Sequence, residues 1–184
     1  MTEGTVGVLL EELDALVARL TELGRPVVQW LVPGVDPGQV EALVGSPVPD
    51  EVATWFGWCN GVALHEGQTQ DDVNVIPGYS PLSLTEAVGQ IADHAGDSTL
   101  GSHWIPLLGG AGGDIYAAVW GSGKSARVAG VLIGESTEIE FSSIEQMITV
   151  FNACYRRGAF FVDGRRQLSM DPGLYDVVNG EIVG

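Results

Sequence analysis

Apolar positions along this chain fall into helical and strand periods by turns, and those periods lay out most of its elements. Between Thr5 and Leu23, Leu9, Leu13, Leu16, Val17, Leu20 and Leu23 recur at three- and four-residue intervals, with Glu11, Glu12 and Asp14 between them. This spacing predicts an amphipathic helix with a leucine-rich stripe. Gly24 stops it ahead of Pro26. Such a stripe packs on its own domain or serves as a dimer face; packing is the expectation and a weak homodimer the alternative.

The stretch VVQWLVPG reads as irregular. Asp36 and Pro37 then start a second helix, because the aspartate accepts from free amides and the proline sits where no amide hydrogen is needed. Val40, Leu43 and Val44 form its inner side and Gly45 ends it. From Pro49 a third helix places Val52, Trp55, Phe56 and Cys59 at i, i+3, i+4 and i+7, with Asn60 and Gly61 as its stop. Trp58 falls off that stripe, which leaves it to cover a neighbour or to serve as a contact residue. HEGQTQDD, from His65 to Asp72, reads as a polar loop, and Val73 to Ile76 as a short strand. Ser83 and Glu86 make a capping box for a helix carrying Leu84, Val88 and Ile91 as far as about Ala95. GDSTLGSH is then a linker.

Trp104 to Trp120, WIPLLGGAGGDIYAAVW, holds two strand-like runs around a glycine cluster and an aspartate. In the second run Tyr116, Ala118 and Trp120 share one face and Ile115, Ala117 and Val119 the other. Neither face is polar, so the sheet is covered on both sides or presents a contact surface. Trp104, Tyr116 and Trp120 are candidate contacts there, and Asp114 is either a turn-capping carboxylate or a contact. A third strand follows at Arg127 to Ile133, and Ile139 and Phe141 alternate with Glu138 and Glu140 in a fourth. Ser142 and Glu145 read as a second capping box for a helix lined by Ile144, Met147, Ile148, Phe151 and Cys154. Arg156 and Arg157 suit its negative end, and Gly158 closes it. The remainder offers one apolar run, AFFV, and an acidic segment that forms a short helix.

The expected fold is therefore a single α+β domain, with a central, mostly antiparallel sheet of about four to five strands and helices packed on it. Residues 1–34 are expected as a helical extension packed on that domain, 35–157 as its body and 158–184 as a C-terminal extension. At 184 residues, 45% hydrophobic and 17% charged, the chain is sized and composed for such a unit.

Charge changes the picture more than composition does. Acidic residues number 24 against 8 basic, for a net charge of −16, and Lys124 is the lone lysine. That field disfavours nucleic acid and speeds encounter with a basic protein. The N-terminus lacks the basic region of a secretory signal, and no apolar stretch reaches the length of a bilayer span, so a cytoplasmic protein without membrane contact is expected. Cys59 and Cys154 fall at apolar positions and read as core thiols, with a disulfide the lesser alternative.

Candidate chemistry is thin. GSGKS, from Gly121 to Ser125, resembles the end of a phosphate-binding loop, but Ala118 stands where the first glycine belongs and a strand follows instead of a helix. GGAGGD fails the dinucleotide pattern because Ile115 stands where the last glycine belongs. His65, His94 and His103 stand at no metal-ligand spacing, and no serine lies in G-x-S-x-G. Catalytic, cofactor and metal residues are expected to be none.

Taken in order, PVPDEVATWFGWCNG, WIPLLGGAGGDIYAAVW and FSSIEQMITVF resemble the SUKH superfamily, which includes a fungal regulator of cell-wall synthesis and many bacterial toxin-immunity proteins. The resemblance runs from Val35 to Arg157 and rests on Pro49, Asn60, Gly61, Ile105, Pro106, Gly113, Asp114, Ser142 and Ser143. The glycine-rich loop 109–112, the leucine-rich helix and the acidic tail depart from it. It implies an α+β binding module rather than an enzyme, and in bacteria one that neutralises a cognate toxin, such as a basic nuclease, by direct contact. A regulatory or scaffold protein for a partner within the cell's own pathways is the alternative. Since a ligand well above its dissociation constant stabilises the fold it binds, millimolar ATP or GTP is expected to leave the melting temperature unchanged in a thermal-shift assay.

Overall fold

The leucine stripe forms α1 (Thr2–Glu22) in the computed structural model, which describes residues 2–123 and 125–184. Leu9, Leu13, Leu16 and Leu20 are fully buried, and α1 packs against α3 (Asp50–Trp58) and α5 (Ile144–Arg157). The stripe is thus spent inside the fold, as packing on its own domain predicts. Asn152 of α5 seals the contact, its amide nitrogen donating to the Glu12 carbonyl at 2.8 Å and to the Glu12 carboxylate at 2.6 Å.

Five strands form the antiparallel sheet in chain order: β3 (Tyr79–Pro81), β4 (Trp104–Gly110), β5 (Ile115–Trp120), β6 (Ala126–Val131) and β7 (Glu138–Phe141). Together with the six α-helices among the described residues they make the mixed α+β domain that the periodicity predicts. Pairing of Ile105 with Ala118 and Trp120 with Ala126 sets the faces. One face carries Ile105, Leu108, Tyr116, Ala118, Trp120, Val128 and Phe141 into the main core under α1, α3 and α5. The other carries Trp104, Ile115, Ala117, Val119, Ala129 and Val131 against Leu100 and Ile91. Both faces are covered, but the second by a 3-10 turn (Ile91–His94) and a loop rather than by a full helix. GDSTLGSH is therefore a cover and not merely a linker. Asp97 pins it, accepting from Thr99 N at 2.8 Å, Leu100 N at 3.1 Å and the Thr137 hydroxyl at 2.5 Å.

Several elements differ from the sequence reading. VVQWLVPG is ordered, as a 3-10 turn (Pro26–Gln29) and then β1 (Leu31–Pro33), which pairs with β2 (Cys59–Val62). Helix α3 ends at Trp58, so Cys59 lies on a strand and Asn60-Gly61 is not a helix stop. Asn60 instead accepts Leu84 N at 2.8 Å, at the start of α4 (Leu84–Gln90). Gly61 has φ +82°, and a Cβ there would lie 2.7 Å from Ser83 N. The dipeptide is a joint between β2 and α4, built for close approach. The strand expected at 73–76 is displaced: Val75 and Ile76 turn into the core, and the edge strand begins beyond Pro77 and Gly78.

Helix α2 (Pro37–Val44) is capped as expected by Asp36 with Gln39 and closed by Gly45. Helix α5 is capped one residue later than expected: Ser143, not Ser142, accepts Gln146 N at 2.9 Å. A second cap arrives from α3, where the buried Glu51 carboxylate accepts Ile144 N at 3.2 Å and Glu145 N at 3.1 Å.

The tail forms a hairpin of β8 (Phe160–Val162) and β9 (Leu168–Met170), then α6 (Pro172–Val183). A buried ion pair fastens it. Arg25 donates to the Asp71 carboxylate at 2.9 Å and to the Arg166 carbonyl at 3.2 Å, while Asp71 accepts Leu168 N at 3.0 Å. Glu51→Ala strands two amides at the buried start of α5, each unsatisfied group costing about 1–3 kcal/mol. In urea unfolding the midpoint is expected to fall by an amount equal to about 2 kcal/mol or more, with the slope unchanged.

Candidate functional site

The five candidate contact residues do not converge. Trp104 and Trp120 lie on opposite faces of the sheet, 6% and 7% exposed, the first edge-on to His94 with ring centres 5.8 Å apart. Tyr116 is half-buried among Tyr79, Phe141 and Phe151. Trp58 is half-buried against Trp55 at 5.2 Å. Asp114 accepts Ile133 N at 2.8 Å, so its carboxylate ties the β4–β5 turn to the end of β6. In that turn Gly113 adopts φ +96° and donates to the Gly110 carbonyl. Ile105 and Pro106 are buried in β4, and Pro49 is buried at the start of α3.

Two grooves open at the two ends of the sheet. One, of about 490 Å³, lies between the α2–α3 connection and the β5–β6 turn, and is lined by Glu41, Pro49, Asp50, His103, Trp120 and Gly121 among others. The other, of about 520 Å³, runs along the glycine turn, with Leu82 and Ile115 as floor and Gln70, Gln90, Asp93 and His94 as rim. Gly121 to Gly123 belong to the turn joining β5 directly to β6, and no helix follows that would complete a phosphate loop; Lys124 itself lies outside the described residues.

A third arrangement escapes sequence reading because a bulge creates it. Val128 pairs with Phe141 and Ala129 with Ile139, so Glu140 is the extra residue of β7. Its carboxylate folds over Gly130, where a Cβ would sit 1.9 Å from Oε1. Around it gather Tyr116 and, from α6, Tyr175. Burial raises the Glu140 carboxyl, Glu138 raises it further, and the Tyr116 hydroxyl partly offsets both. Burial, Asp114 and Glu140 push Tyr79 up to about 12, and burial with Glu140 and Cys154 takes Tyr175 to about 12. These phenols stay protonated at neutral pH. Burial likewise lifts Cys59 and Cys154 to about 11, which denies either thiolate character at neutral pH.

Among the described residues no three His, Cys, Asp or Glu side chains are placed to share a metal ion, and no helix is long and apolar enough to cross a membrane. Comparison with known protein families and with curated proteins finds no match. What the surface offers is contact chemistry: two open grooves and a large excess of carboxylates.

Glu140 provides a pH test. Because its folded-state carboxyl is raised, its contribution to stability is whole below the ordinary value of 4.5 and is lost as pH climbs through the raised value. Glu140→Gln, which carries no charge at any pH, is expected to melt higher than the parent at pH 7, with the gap closing by pH 4 in parallel melting curves.

Proposed function

We propose that this chain is a protein-binding module that acts by direct contact with a basic partner, in the manner of an immunity protein that blocks its cognate toxin. The observation that carries this reading is the charge of −16 and how it is distributed. Among the described residues Arg25 is buried against Asp71, Arg19 is held by Glu22 at 2.9 Å, and Arg157 is held by Glu181. Three of the few cations are thus neutralised in place, while Glu11, Asp14, Glu41, Asp50, Glu66, Glu86, Asp93 and Glu135 are exposed. A basic surface approaching such a field is steered and accelerated.

The resemblance to SUKH proteins adds to this. Its short motifs fall on joints of the fold: Asn60-Gly61 links β2 to α4, Gly113 and Asp114 form the β4–β5 turn, and Ser143 caps α5. Residues of that kind keep a scaffold and leave its surface free to specialise. The protein mixed with purified toxins encoded beside its own gene is expected to bind one of them, with an association rate that falls by about tenfold or more from low to high salt. Stopped-flow or surface-plasmon measurements check this. Binding to none of them, or a rate indifferent to salt, overturns the proposal.

A further inference from the structure

The groove at Trp120 has a chemistry that net charge alone does not supply. Antiparallel pairing brings Trp120 to its floor, and the Trp120 backbone N–H donates to the His103 carbonyl at 3.0 Å. The indole lies 6.4 Å from the exposed His103 imidazole, whose Nδ1 is 3.0 Å from the Ser102 hydroxyl. Trp120 is 7% exposed, so the exposed His103 imidazole beside its indole supplies most of the aromatic wall of the groove. Across from it stand two exposed carboxylates, Glu41 of α2 and Asp50 at the start of α3, neither of them paired with a cation among the described residues. Pro47 and Pro49 stiffen the connection that holds them, so little order has to be gained on binding.

An aromatic wall facing two carboxylates suits a flat cation with apolar faces. A guanidinium stacks on a ring while its N–H edge reaches carboxylate oxygens, and it sheds water more readily than an ammonium. The groove at the glycine turn offers a single carboxylate on its rim, Asp93, beside neutral glutamines. It lacks the paired charge. We infer that the Trp120 groove is the seat of an arginine side chain presented by the basic partner. This rests on the contact function proposed above and narrows it to one place and one kind of side chain.

An acetylated tetra-arginine peptide is the probe, with tetra-lysine beside it, followed by NMR of backbone amides and indole N–H groups. The expected result is a saturable shift of the Trp120 indole and of the Val48 and Gly121 amides, with arginine binding several-fold tighter than lysine. Glu41→Gln with Asp50→Asn is expected to weaken binding about tenfold. Glu66→Gln with Asp93→Asn removes the same charge elsewhere and is expected to leave it within about twofold. Equal loss in the two double variants, shifts spread over the acidic surface, or no saturable shift overturns the groove while leaving a salt-dependent basic partner intact. A failure of every candidate toxin to bind, with the peptide still localising at Trp120, overturns the immunity reading instead.

Discussion

Strand β5 has no polar face, and the rest of the molecule is shaped by the need to cover it twice. Three helices cover the face of Tyr116, Ala118 and Trp120, and a thin layer around Leu100 covers Ile115, Ala117 and Val119. The first cover is thick and apolar, and its gain comes from buried area. The second is one segment deep. It holds because Asp97 gathers two amides and a hydroxyl, and those hydrogen bonds pull its carboxyl below the ordinary value even though desolvation acts the other way.

Placing helices on one side and a loop on the other leaves helix ends and strand ends near each other without sequence neighbours to satisfy them. The chain answers with single polar side chains reaching over long sequence distances. Glu51 caps α5, Asn60 caps α4, and Asp71 joins the end of α1 to the C-terminal hairpin. Each replaces water at a buried donor, and each makes one element's position depend on another's. Desolvation still lifts the Glu51 carboxyl despite the two amides it accepts, a sign of how dry that junction is.

Local period was enough to read α1, α5 and the β4–β7 meander, because their apolar spacing is long and regular. It failed where structure hangs on a distant partner. Cys59 continues the stripe of α3, yet β1 recruits it into a strand. Ser142 and Ser143 both suit a cap, and the path of the chain out of β7 selects the second. Nor could alternation alone place the aromatic residues. Trp104 pairs with Val119, which puts Trp104 across the sheet from Trp120, and a bulge at Leu107 then moves Leu108 to the other face. Glu140 simply alternates with Ile139 and Phe141 in the sequence, whereas the bulge that folds it over Gly130 is a property of the pairing, and no single strand encodes it. The Trp120 groove is assembled from α2, α3 and two strand ends, and no local pattern announces it.

The clasp around Arg25 bears on the order in which the elements of this chain can lock. Its guanidinium is buried at the end of α1, while one of its acceptors, the Arg166 carbonyl, belongs to the hairpin that follows α5 in the chain. A nascent chain that has emerged only as far as α5 therefore holds an incompletely satisfied cation. Docking of the β8–β9 hairpin supplies the missing acceptor, so seating of that hairpin and locking of the first helix are coupled.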